Sequence, residues 1–250
     1  MDPASFYVYK YFKEVAEDAL KKLGSTQCKS KKYPIVFNPE TASTLLKFFL
    51  APIDYEEVEK KSSYFVGKLN EQVASKKLTV IENGLEKNVF FNYFDDEGVA
   101  VNKKEIIKKG VLKTYLYTLE NARKANTEPT GNGVVVGGKT AAKLNQIFVK
   151  PGRKSEEEMM ASIKEGVYID DLQGLHAGMN PRSGNFSLQA AGFMIRDGKL
   201  AEPLALITVA GNLLEVFANI KDIANNSKLV FRTSCTCPSI YVKKMSITGK

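Results

Sequence analysis

Two strand-length runs joined by a single Asp-Gly step constrain this chain more than any other feature. Residues 185–195, NFSLQAAGFMI, lead into Arg196-Asp197-Gly198-Lys199 and then a second apolar run that includes Leu204–Val209. Asp-Gly suits a type I′ turn, whose central residues both take positive φ and whose twist matches the strands it joins. A hairpin is therefore predicted, its first strand running from about Asn185 to Ile195. Upstream, Gly174, Gly178 and Gly184, with Asn180-Pro181 and Ser183-Gly184, mark an irregular loop. Irregular backbone beside regular strands is where sites tend to lie. The loop also carries the chain's single histidine, His176.

The rest of the chain reads as helices first and strands later. Val8, Phe12, Val15, Ala16, Ala19, Leu20 and Leu23 have helical spacing over residues 5–23, with Gly24 as the stop. Lys29–Lys32 is a polar connection and the candidate boundary. Tyr33–Phe37 is a buried strand. Asn38-Pro39 starts a second helix through Ala51 with Asn as cap and Pro at its first position. Asp54-Tyr55-Glu56-Glu57 starts a third, with Val58, Phe65, Val66 and Leu69 inward. Strand-like runs follow at 77–81, 90–94, 105–117 (a hairpin around Lys109-Gly110) and 144–149. A short helix at 119–124 and a Gly-rich loop at 127–138 lie between them. Ser155 with Glu158 caps a helix through Lys164, and 167–169 is a strand. Asn212 with Glu215 starts a helix whose inner face includes Leu213, Val216, Phe217, Ile220 and Ile223. Strands at 228–232 and 240–247 close the chain. The pattern predicts an α+β fold: N-terminal helices followed by largely antiparallel strands and hairpins.

Charge and cysteines exclude several classes. The net charge is +8, but the lysines come in scattered pairs with no long basic block. That is a solvated surface rather than a nucleic-acid footprint. No apolar run is long enough for a membrane span, residues 1–20 lack a signal-peptide core, and a cytoplasmic location is expected. Cys28, Cys235 and Cys237 are odd in number and suit reduced, buried thiols rather than a disulfide framework.

Several constellations can be weighed chemically. Gly133–Thr140 fits G-x-x-x-x-G-K-[ST], the pattern that cradles phosphates, but no apolar strand precedes it and three valines fill it. Cys28, His176, Cys235 and Cys237 form a conceivable but unfamiliar zinc set, and one histidine rules out H-E-x-x-H. Asp95-Asp96-Glu97 and Asp170-Asp171 read as turn acids, with oxygen ligation or acid–base work as the alternative. His176 with Ser183 or Ser187 is a weak nucleophile–base pair.

FDDEGV at 94–99, KKGVLKTYLYTLENARKANTEPTGNG at 108–133, the stretch 180–213 and CPSIYVKKMSITG at 237–249 together resemble the TldD/PmbA family, also described as modulators of DNA gyrase. The resemblance runs from about residue 29 to the end, making 29–250 the family's C-terminal domain and 1–28 the tail of the domain before it. It implies a metallopeptidase system that processes peptides and degrades small unfolded proteins. In the TldD branch an H-E-x-x-x-H motif lies on the helix after this domain's first strand. Laid on that pattern, its positions here are Lys47, Phe48 and Pro52, none able to do the job. The chain therefore resembles the PmbA (TldE) branch, which pairs with TldD. The TldD branch's C-terminal Cys-Gly motif is not intact here. Family members usually run to about three times a typical 150-residue domain, so the chain is expected to be a fragment or a short form.

The resemblance implies a subunit with no catalytic residue and no cofactor, zinc being expected only on a TldD-like partner. Its partners would be that subunit, or a second copy as a homodimer, and an unfolded or extended peptide. The peptide-binding candidates are Asn180, Gly184, Asn185 and Ser187, with Thr130 and Asn132. Gly192 is expected at a bulge or close backbone approach. The alternatives are a nucleotide binder using Gly133–Thr140 and a hydrolase with the Cys/His metal set.

Overall fold

Asp197 and Gly198 take φ values of 46° and 80°, and the hairpin they turn is the backbone of the larger sheet. A computed structural model describes residues 12, 13 and 15–250. The strands, in chain order, are β1 (Lys31–Phe37), β2 (Val80–Asn83), β3 (Lys103–Lys108), β4 (Val111–Leu112), β5 (Gly133–Val136), β6 (Lys139–Ala142) and β7 (Ile147–Val149). They continue as β8 (Glu165–Gln173), β9 (Asn185–Arg196), β10 (Lys199–Asn212), β11 (Ile220–Ile223), β12 (Lys228–Val230), β13 (Cys235–Cys237) and β14 (Ile240–Thr248). The expected α+β class holds, and most pairings are antiparallel.

One sheet runs β1-β8-β9-β10-β14-β11, and an added β1–β14 pairing closes β1, β8, β9, β10 and β14 into a ring. The β1–β8 pair is parallel, bridged by all the intervening chain. The second sheet runs β12-β13-β7-β2-β3-β4, and β5-β6 is a separate two-stranded ribbon. The Pro39–Leu50 helix starts as expected, Asn38 Oδ1 accepting from the Thr41 amide at 2.8 Å with Pro39 at the first turn. It packs against β8 and β1 of one sheet and β13 and β12 of the other, so Leu45, Leu46, Phe49 and Leu50 are buried in a core shared by both sheets.

Glycine 192 makes the close approach that its place in a strand suggested. A Cβ there would lie 1.9 Å from the Tyr168 carbonyl oxygen of β8. The β8–β9 register shifts between Ile169 and Asp171, beside that contact.

Several expected elements are shorter or different. The helix after Asp54 spans only Tyr55–Glu59. Lys61 breaks it with φ 56°, and Val66 and Leu69 are exposed. The helix after Ser155 keeps its capping box but ends at Met160. Asn212 caps a helix, Leu213–Ala218, through the Leu214 amide. Ile220 and Ile223 are instead buried from strand β11; three residues apart they would point to opposite faces of a regular strand, but the β11–β14 register shifts between Ile220 and Asp222. Residues 90–94 form no strand, Phe94 making only an isolated bridge to Ala100, and Lys31 and Lys32 belong to β1. Of the predicted 5–23 helix, residues 12, 13 and 15–21 are helical, while Glu14 and the part before Phe12 lie outside the described residues.

A buried charge crosses the second sheet. Glu82 of β2 is 0% exposed and sits opposite Lys104 of β3. Its Oε2 pairs with Lys104 Nζ at 2.7 Å. Its Oε1 accepts from Asn132 Nδ2 at 2.7 Å and the Asn145 amide at 2.6 Å. Lys104 completes the cage on the Thr130 carbonyl and Asn132 Oδ1. No periodicity argument anticipates this pair, because each residue alone reads as a solvent-facing strand position.

Candidate functional site

The loop before β9 folds on its own polar side chains. Asn180 Oδ1 accepts from the amides of Arg182 and Ser183, both at 3.0 Å, an Asx-type turn. The Asn180 amide returns to the Asn185 carbonyl at 2.9 Å. Gly184, at φ 72°, lets its carbonyl accept from the Leu213 amide at 2.8 Å. Asn212 Nδ2 ties the loop from outside, donating to the Ser183 carbonyl and Asn185 Oδ1, both at 2.8 Å. Beyond Gly184 the strand alternates strictly: Phe186, Leu188 and Ala190 point inward, while Asn185, Ser187 and Gln189 face solvent.

This arrangement leaves an open groove of about 610 Å³ lined by residues 177–182 and 185–187. Arg182 is shared with a second hollow of about 530 Å³ that also takes in Lys60, Lys61 and Tyr64. Tyr64 donates to the Phe49 carbonyl at 2.7 Å, and burial holds its phenol well above its ordinary range. Asn180, Asn185 and Ser187 therefore share one groove, and Gly184 is buried beside it. Thr130 and Asn132 are not part of it. Asn132 is fully buried in the Glu82–Lys104 cage, and Thr130 Oγ1 accepts from the Tyr117 amide at 2.9 Å.

The other constellations fall into structural roles. Gly133–Thr140 is the β5–β6 ribbon turned at Gly137-Gly138, and Lys139 and Thr140 lie in a strand where a phosphate loop would open a helix. Asp95 accepts from the amides of Glu97, Val99 and Gly133, so it organises a turn. Asp96 accepts from the Val135 amide and Glu97 from the Leu119 amide. Burial pushes the Asp170 carboxyl up, opposed by Lys22 at 3.0 Å. Asp171 accepts from Gln173 instead of pairing with it. Cys235 and Cys237 are fully buried, and burial followed by the neighbouring thiol raises Cys237 well above its ordinary range. His176 is exposed, and no hydrogen bond among the described residues joins it to Ser183 or Ser187. Among those residues, no three His, Cys, Asp or Glu side chains converge to hold a metal.

The positions that the family resemblance assigns to a metal motif lie on the Pro39–Leu50 helix and the turn after it. Lys47 is exposed, Phe48 packs on the core, and Pro52 is buried in the following turn. An ammonium, a phenyl and a prolyl ring offer zinc no lone pair, so these residues do not fit a zinc ion.

A family model for the PmbA/TldA metallopeptidase C-terminal domain matches residues 30–249. The chain belongs to this family. Among curated relatives, the metalloprotease PmbA homolog of Buchnera aphidicola (Acyrthosiphon pisum) is 30% identical over 94% of this chain and 50% of its own length. The metalloprotease PmbA of Escherichia coli O157:H7 is 29% identical over 95% of this chain and 50% of its own. The chain thus spans about half the length of the curated relatives it matches. Two solved structures share the PmbA/TldA fold with it. A Thermotoga maritima protein described as a candidate modulator of a DNA gyrase superposes with a TM-score of 0.87, at 35% identity over 93% of this chain and 53% of the other. TldE from Thermococcus kodakarensis superposes at 0.85, with 25% identity over 95% of this chain and 55% of the other. The loop before β9 was legible through its Asn and Gly turn residues. The buried Glu82–Lys104 cage was not. No helix of the described residues is long and apolar enough to cross a membrane.

Proposed function

We propose that this chain serves the TldD/PmbA peptidase system as a subunit without a zinc site of its own. It joins a TldD-like subunit or a second copy, and it holds extended peptide in the groove at residues 177–187. The observation that carries the reading is the Pro39–Leu50 helix and the turn after it, where Lys47, Phe48 and Pro52 stand at the positions the family resemblance assigns to the metal motif. The metal and the general base then reside on the partner, and this chain's task is to bind and orient.

The groove suits a peptide backbone. Neither the Ser187 hydroxyl nor the Arg182 guanidinium has a side-chain partner among the described residues, and both line the opening. A hydroxyl, an amide and a guanidinium offer donors to carbonyls without selecting one side chain, which fits a varied, unfolded substrate.

Fluorescence anisotropy of a labelled unstructured peptide tests this. The chain alone is expected to bind, and Ser187→Tyr, which fills the groove from an exposed position, is expected to weaken binding by about tenfold with an unchanged melting temperature. Peptide binding that ignores the substitution, or no binding by the unaltered chain, contradicts the reading.

A further inference from the structure

The hollow of about 530 Å³ beside the groove is walled by two segments far apart in sequence. Residues 60–64 come from the turn that ends the Tyr55–Glu59 helix, and Arg182 comes from the loop before β9. The walls meet, since a Cβ on Gly184 would lie 3.4 Å from Tyr64 Cε1. The first wall is fixed from behind. Ser63 Oγ donates to the Pro52 carbonyl at 2.5 Å and accepts from the Phe65 amide at 3.0 Å, while Tyr64 is held on the Phe49 carbonyl. Little ordering cost is left for a ligand.

Lys61 stands where helices that end this way usually place glycine. Its amide donates to the Val58 carbonyl at 3.1 Å, and the Ser62 amide donates to the Glu57 carbonyl at 2.9 Å. These two bonds make a Schellman close with Lys61 at φ 56°. A side chain is strained in that conformation and glycine is not. The backbone therefore gains nothing from a lysine here, and what the residue brings is charge. Lys60 is already paired with Glu56, and Ser62 Oγ donates to Glu57 Oε2 at 2.6 Å. Among the described residues Lys61 and Arg182 make no ion pair, and both line the hollow.

We propose that this hollow is a carboxylate site, in which Lys61 and Arg182 hold an acidic group of the segment bound in the neighbouring groove and so select acidic peptides. The inference rests on the peptide reading of the groove and adds a preference that the groove lacks. The groove's donors meet the backbone carbonyls of any sequence, whereas two cations without counter-ions favour an acid. A guanidinium presents a planar fork that matches the two oxygens of a carboxylate, and an ammonium adds a point charge. Arg182 lines both spaces, so a chain lying in the groove brings a neighbouring side chain, or its own end, to the hollow. Aspartate, glutamate and a free C-terminus share the chemistry that the site recognises.

Anisotropy with three labelled unstructured peptides separates the sources: one neutral with an amidated end, the same sequence with a free C-terminal carboxylate, and one carrying internal glutamates with an amidated end. The unaltered chain is expected to bind a carboxylate-bearing peptide about tenfold more tightly than the neutral one. Lys61→Gly removes the ammonium and suits the left-handed backbone. It is expected to abolish that preference, to leave the neutral peptide's affinity unchanged, and to raise the melting temperature by about 2–4 °C. Lys61→Arg is expected to keep the preference. Equal affinity for all three peptides, or a preference indifferent to Lys61→Gly, overturns the proposal. A failure of the groove reading looks different: Ser187→Tyr then changes no affinity, while the carboxylate preference and its loss in Lys61→Gly persist and support the site.

Discussion

Lys104→Ala is expected to destabilise the fold by about 3–5 kcal/mol, the usual result of stripping one partner from a buried ion pair. The loss comes from Glu82, which is fully buried and would keep a charge with no counter-ion. Its Oε1 bonds to Asn132 and the Asn145 amide would survive, but they cannot replace a full positive charge at Oε2. Equilibrium urea unfolding should show a lower midpoint with the slope retained. The double variant Glu82→Gln, Lys104→Met removes both charges and should be more stable than Lys104→Ala alone, since replacing the whole pair is often nearly neutral. A Lys104→Ala chain within about 1 kcal/mol of the parent would show that the pair behaves as a surface contact. The cage also joins two strands and two loops far apart in sequence, at residues 82, 104, 132 and 145. Its loss should therefore loosen the second sheet before the first.

Gly192→Ala is the second large effect. The added methyl carbon would stand 1.9 Å from the Tyr168 carbonyl oxygen and 2.9 Å from its carbon, both backbone atoms of a paired strand. No rotamer relieves that clash, so β8 and β9 must separate in the middle of the ring. The expected cost is at or above the top of the about 1–3 kcal/mol typical of overpacking. Gly211→Ala is the internal control. There the nearest atoms are side-chain tips, Met245 Cε and Phe186 Cζ, both at 3.4 Å. Its cost should stay below about 1 kcal/mol. Thermal melts of the two variants side by side check the pair, and equal losses would refute the steric account.

The elements that local chemistry dictates were readable from the residues alone. The Asp197-Gly198 turn, the Asn38 and Ser155 caps and the Lys109-Gly110 hairpin all stand where their side chains or backbone angles require. What failed was length and identity where a bulged strand follows a helix closely enough to extend its apolar spacing. Ile220 and Ile223 continue a helical face on paper and belong to β11 in the fold. The Phe90–Phe94 run looked like a strand because it is apolar, yet its rings lie on the surface. Of the six candidate site residues, the four near β9 came together because turn residues build that loop locally. Thr130 and Asn132 share the same residue chemistry, but their place is set by the long-range Glu82–Lys104 pair, which no local pattern reveals.

The proposed function requires that this chain hold no zinc site of its own. Isothermal titration of zinc into metal-stripped chain tests it most directly. The account predicts no site with a dissociation constant below about 10 µM. One zinc per chain bound at submicromolar affinity would contradict it.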